Sequence, residues 1–223
     1  MTSSVISALN KIKELEVFKD ELYFTGGTAL SYFINHRISE DIDIVSPKLL
    51  DYRKIIPIIT SIGAKKVDDE NIMSLRLAGL FPDEYILKFV LDDVKIEFFF
   101  ANRPIQKDIL KELTYTNFEN SNLKILDLKS IIKLKLVALF QRDKSRDLFD
   151  FGSMLEKNII SMDEILFVAK ESKNINSKED LINFISNKQE AKNDEAVYLS
   201  ESNRLDLSFE DIKQNVLDKL KTN

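Results

Sequence analysis

Two aspartates, Asp41 and Asp43, stand two residues apart, with Ile42 between them and Ile44 after them. On a strand that spacing sends both carboxylates out of one face, about 6.7 Å apart along the chain, while the isoleucines point into a core. Two such charges repel by about 2.5 kcal/mol at an effective dielectric near 20, a cost that a divalent cation between them reverses. The competing reading is a half-exposed strand with solvated acids, because an acid-x-acid pattern is common by chance. Upstream, Gly26-Gly27 frees backbone N–H groups to point at a phosphate and clears side chains from its path. An ordinary tight turn is the alternative there. Glycine turn, helix and paired acids in that order would set a phosphate cradle beside a metal site.

Other residues extend this chemistry. Glu97, in a strand predicted over Val94–Phe100, lies on the face opposite Ile96, Phe98 and Phe100. It is a candidate third carboxylate, able to bind metal or take a proton from an attacking hydroxyl. Lys135 falls one helical turn from Ile131 and Leu139. Its stem can lie along an apolar edge, or its compact ammonium can offset charge on a triphosphate. Arg142, Lys144 and Arg146, with Lys129, Lys133 and Lys135, form the most basic stretch of a chain whose net charge is -5. They read either as a solvated turn with Asp143 and Asp147 as partners or as a dock for an RNA backbone. His36 reads as a helix-end residue, close enough to Ser39 and Asp41 for a substrate contact.

The elements that must position these residues are legible in part. Residues 4–18 carry Val5, Ala8, Leu9, Ile12 and Leu15 at helical spacing. A strand at 22–24, the glycine turn, a helix capped by Thr28 and running to 35, and a strand at 41–45 follow. A helix is predicted over 52–62, with Pro57 as a kink or break and Gly63 as its stop. Strands at 72–77, 85–91 and Val94–Phe100 then read as an antiparallel meander. Helices suit 131–141, 148–155, 162–170, 181–185 and 209–220, and the polar stretch 187–203 reads as a long loop. The fold class expected is α+β, a mixed sheet with flanking helices followed by a helical domain. The boundary falls at 120–125, giving a core domain over 1–122 and a helical domain over 123–223.

Composition narrows the chemistry. With 223 residues the chain can bury about 70 to 75% of its unfolded surface. It has no cysteine and a single histidine, which removes thiolate sites, cysteine nucleophiles and histidine-rich zinc sites. Any metal is therefore held by oxygen. The first residues lack the apolar core of a signal peptide, and no apolar run approaches the roughly 20 residues that span a bilayer. The expectation is a cytoplasmic protein with no membrane partner. The acidic balance argues against coating nucleic acid through the overall field and leaves only a local basic patch.

Two blocks carry a family resemblance. The run Tyr23-Phe24-Thr25-Gly26-Gly27-Thr28-Ala29-Leu30, followed by His36-Arg37-Ile38-Ser39-Glu40-Asp41-Ile42-Asp43, resembles the first motif of the AbiEii/AbiGii-type toxin nucleotidyltransferases. Lys135-Leu136-Val137-Ala138-Leu139, then Arg142 and Arg146-Asp147-Leu148-Phe149-Asp150, is similar to the later lysine and Arg-Asp-x-aromatic-Asp motifs of that family. Together the blocks cover about the first two-thirds of the chain. The resemblance implies a DNA-polymerase-beta-like core, a helical C-terminal domain and a toxin that moves a nucleotidyl group from an NTP, in some members onto the acceptor end of tRNA. On that pattern Gly26, Gly27 and Thr28 hold the nucleotide, Asp41 and Asp43 bind Mg2+ or Mn2+, Lys135 meets phosphate and Asp147 sits at the site. A cognate antitoxin is the further partner it implies. Transfer to a protein or small molecule, and a non-catalytic module keeping the fold, are the competing readings, since fold does not identify the acceptor.

Overall fold

The computed structural model describes residues 1–68, 70–192, 194–200 and 203–222. The chain divides into two compact units, one of Met1–Phe33 and Ser39–Leu128, the other of Ile34–Ile38 and Lys129–Asn223.

The first unit is built on a mixed sheet. In chain order it contains α1 (Ser3–Ile12), β1 (Tyr23–Thr25), α2 (Gly26–Ile34), β2 (Asp41–Ser46), α3 (Tyr52–Ser61) and β3 (Lys65–Lys66). It continues with α4 (Glu70–Leu77), β4 (Ile86–Leu91), β5 (Val94–Phe100), α5 (Pro104–Lys111), β6 (Tyr115–Asn117) and β7 (Lys124–Leu126). Its seven strands run in the order β3-β4-β5-β2-β1-β7-β6. The β2–β5 and β1–β7 pairs are parallel, and the other neighbours are antiparallel. One face of the central strands is apolar throughout: Phe24, Ile42, Ile44, Ile96, Phe98, Leu87 and Phe89 are buried there. Helix α1 covers it with Val5, Ala8, Leu9 and Ile12, packing on β2 and β5, and its first turn is closed by Thr2, whose hydroxyl accepts the Val5 N–H. The alternation of β2 then leaves Asp41 and Asp43 on the opposite, half-open face.

The second unit is helical: α6 (Leu128–Gln141), α7 (Ser145–Glu156), α8 (Met162–Lys173), α9 (Lys178–Ser186) and α10 (Phe209–Thr222), with a hairpin of β8 (Tyr198–Ser200) and β9 (Asn203–Arg204). Helices α7 and α10 approach closely because Gly152 offers no side chain; a Cβ there would stand 3.2 Å from Val216 Cγ2. Ser161 and Glu164 form a capping box at the start of α8, which ends on Asn174 in the left-handed region.

Four expectations need correction. Residues 72–77 form helix α4, not a strand. Met73, Leu75 and Leu77 imitate a period of two, but all three are exposed, Leu77 by 89%, and Arg76 instead ties the helix to Asp68 and Asp83. The first helix ends at Ile12, with a separate helical turn at Glu16–Lys19. Helix α2 begins at Gly26, so Thr28 lies inside its first turn; its hydroxyl donates to the Asp41 carbonyl rather than capping the helix. The stretch 187–203, read as a loop, contains β8 and the start of β9, although 193, 201 and 202 within it lie outside the described residues. Helix α3 runs through Pro57 without ending.

Candidate active site

In the first unit the glycine turn and the acids meet. Gly26 has φ +79°, a conformation that a side chain resists, and a Cβ built there would lie 1.9 Å from Asp43 Oδ2. The Asp43 carboxylate therefore occupies the space that glycine leaves. Along the strands, Asp43 pairs with Thr25 on one side and Glu97 on the other, and Glu97 pairs with Lys88. Cross-strand partners share a face, so Thr25, Asp43, Glu97 and Lys88 form one row, with Asp41 two residues along the strand. Lys88 Nζ stands 3.6 Å from Glu97 Oε2. Thr28 fastens the first turn of α2 to the start of β2 through the Asp41 carbonyl.

This group fits a divalent ion by its chemistry. Asp41, Asp43 and Glu97 supply hard oxygen donors, and magnesium is held by one or two carboxylates with substrate phosphates rather than by an all-protein cage. Among the described residues no three His, Asp or Glu side chains converge into such a cage. The phosphates of a bound NTP are the donors that would complete the set.

In the second unit, a buried ionic cluster gathers residues far apart in sequence. Asp147 and Asp150 lie one turn apart on α7, 2% and 0% exposed. Arg142 grips Asp147 with Nε at 2.6 Å and Nη2 at 3.1 Å. Arg37 grips Asp150 in the same two-pronged way, at 2.6 and 3.1 Å, and His36 Nε2 is 2.6 Å from Asp150 Oδ1. The carboxylate accepts, so Nε2 carries the proton in that bond. The His36 ring also stacks on Phe149, and its Nδ1 is buried without a partner. Lys135 Nζ is 2.9 Å from Asp150 Oδ2 and 3.7 Å from Asp147 Oδ1. Burial pushes the Asp150 carboxyl up, but the charges of Arg37 and Lys135 and the bonds from His36 and Arg37 overcome it and hold the group well below the usual carboxylate range.

The sequence-nominated residues thus fall into two groups. Gly26, Gly27, Thr28, Asp41, Asp43 and Glu97 belong to the first unit, and Lys135, Arg142, Lys144, Arg146 and Asp147 to the second. Lys135 is not a snorkelling lysine, since its side chain is only 10% exposed and sits between two carboxylates. His36 lies just past the end of α2, as its helix-end reading has it, with its side chain buried against Asp150. Arg146 is held by Glu195 at 2.8 Å and by the Ala196 carbonyl, while Asp194 accepts the Ser145 N–H at the start of α7. Arg142 keeps 56% of its side chain exposed while paired. Arg37 and Asp150, which the buried cluster brings to Lys135, were not nominated from the sequence. The available signal was the spacing of Asp147 and Asp150, two acids one turn apart on a helix whose neighbours Leu148 and Phe151 are apolar.

Comparison with known proteins bears on the whole chain. A family model described as nucleotidyl transferase AbiEii toxin, type IV toxin–antitoxin system, matches residues 8–219. An uncharacterized protein of Aquifex aeolicus (strain VF5) is 28% identical over 171 residues, covering 75% of this chain and 74% of its own. Two solved structures share the fold. A crystal structure of a candidate nucleotidyltransferase from H. pylori superposes with a TM-score of 0.51 at 16% identity, covering 100% of this chain and 95% of that one. MenT4, a nucleotidyltransferase toxin from Mycobacterium tuberculosis H37Rv, does so with a TM-score of 0.51 at 15% identity, covering 95% and 77%.

Proposed function

The chain belongs to the AbiEii family of nucleotidyltransferase toxins, and from that premise we propose that it transfers a nucleotidyl group from an NTP to a hydroxyl of an RNA acceptor, such as the acceptor end of tRNA. Membership of a type IV toxin–antitoxin family brings with it an NTP substrate and an antitoxin partner. The observation that carries the reading is the contact of Gly26 with Asp43, in a row that also includes Glu97. It gives the glycine turn and the acids one shared purpose, which a solvated strand edge lacks.

Magnesium or manganese would be held by Asp41 and Asp43 together with the substrate's phosphates, and when bound it supplies positive charge to the triphosphate oxygens. The backbone N–H groups of Gly26 and Gly27 at the start of α2 face the negative charge of phosphate, and Thr28 fixes that turn. Glu97 accepts the proton of the attacking hydroxyl, whose oxygen bonds to the alpha-phosphorus. The bond from that phosphorus to its bridging oxygen breaks, and pyrophosphate leaves with the electron pair. To the Lys135 ammonium, ion-paired with Asp150, we assign the offsetting of charge on the triphosphate. Arg142, Lys144 and Arg146 offer cations to the RNA backbone.

The test is to incubate the protein and magnesium with each labelled NTP, adding total tRNA, total protein or neither. Label is expected on tRNA. Asp43→Asn is expected to abolish it, and magnesium to raise the melting temperature of the wild type more than that of the variant. Label only on protein, or with no acceptor added, would replace RNA by another acceptor. Full transfer by Asp43→Asn with equal magnesium shifts would remove the metal site.

A further inference from the structure

We propose that Asp150 is a positioning residue for the Lys135 ammonium. Its two oxygens take three hydrogen bonds, from His36 Nε2 and Arg37 Nε to Oδ1 and from Arg37 Nη2 to Oδ2, and Oδ2 is also ion-paired with Lys135 Nζ at 2.9 Å. A carboxylate offers about four lone-pair directions, and three bonds with an ammonium against the fourth side leave this one no open approach. Fully buried and fully bonded, it has no capacity to ligate a metal or receive a proton from substrate without giving up a partner. Its effect on chemistry must pass through one of those partners.

Lys135 is the partner through which it passes. An ammonium has three N–H donors, and Asp150 holds this one as an ion pair at 2.9 Å. Asp147, at 3.7 Å, lies beyond hydrogen-bond distance and is already gripped by Arg142. Lys135 therefore keeps donors for a further anion, whereas the Nε and Nη2 of Arg37 are spent on the carboxylate. The two-pronged grip of Arg37 fixes the plane of that carboxylate, and His36 bonds to the same oxygen as Arg37 Nε. The direction of Oδ2, and with it the place of the lysine nitrogen, is set by residues 113 and 114 positions away in sequence. Without Asp150 the flexible lysine stem would let the ammonium move onto Asp147, its remaining anionic neighbour.

This assignment rests on the proposed role of Lys135 toward the phosphates. The experiment is a cycle of four proteins, wild type, Asp150→Asn, Lys135→Met and the double variant, with kcat, KM for the NTP and melting temperature measured for each. Should Asp150→Asn not fold at the assay temperature, Asp150→Glu takes its place, keeping the charge while displacing the oxygens by one methylene. The expected result is a fall in kcat of about 100-fold for the Asp150 variant, the scale of a misplacement near 1 Å, and no further fall when Lys135 is already methionine. An Asp150 substitution that lowers kcat by the same factor in both backgrounds would show a purely structural residue and overturn the proposal while leaving Lys135 in the site. Full turnover by Lys135→Met would overturn both.

Discussion

Asp147 and Asp150 lie one helical turn apart on α7, and each is served by a different arginine, Arg142 from the preceding turn and Arg37 from a distant segment. Burying a carboxylate is costly unless partners compensate, and removing it leaves their charges stranded. Asp150→Asn is therefore expected to cost about 3 to 5 kcal/mol at neutral pH, since it uncovers Arg37 and Lys135 together. The pH dependence has a definite sign. A carboxyl held below its unfolded value near 4 contributes stability that is present above that value and lost as pH falls through the lower folded value. In urea titrations the gap between wild type and Asp150→Asn should be flat above about pH 5 and close as the pH drops below about 4. A gap that stays constant into strong acid would contradict the charge-based account of this cluster.

Helix α3 carries Pro57 in its interior, where the ring removes one backbone N–H and crowds the preceding turn. The residue is exposed and has no packing to lose. Pro57→Ala is expected to stabilise the protein by about 1 to 3 kcal/mol, read as a higher urea midpoint with unchanged transfer activity. Elements with a clean period were legible in the sequence. The β1–α2–β2 run followed from the glycines and from the alternation of Asp41, Ile42, Asp43 and Ile44, and the α+β class and its mixed sheet follow from that run. Helix α4 was not legible, because its apolar residues lie on every side and only Ile72 is buried. Helix α5 was not anticipated, and neither were the short strands β3, β6 and β7, whose two or three residues carry no period. At the site, the closeness of Gly26, Asp43 and Glu97 could be suspected from local patterns. The bond from Arg37 to Asp150 could not, because nothing local links positions 113 apart.

At the level of the whole molecule, a net charge of -5 sets a repulsive background for any polyanion, so an RNA acceptor must be drawn by local cations. If Arg142, Lys144 and Arg146 each meet one phosphate, the apparent RNA affinity should fall with salt at a log–log slope of about -2 for a single strand. Lys144→Glu is expected to make that slope shallower by about 0.7, as measured by filter binding across salt, with NTP affinity unchanged. An unaltered slope would move the docking surface elsewhere. No helix among the described residues is long and apolar enough to cross a membrane. The path of the chain has one more consequence. It leaves the first unit at Ile34, returns at Ser39 and departs again after Leu128, so the short segment that carries His36 and Arg37 needs Asp150 to complete its contacts. During synthesis that partner emerges from the ribosome 113 residues after Arg37, about 6 to 23 s later at ordinary elongation rates. A nascent chain therefore cannot finish the His36–Arg37–Asp150 lock until two-thirds of it has been made, and a fragment ending before Asp150 never acquires it.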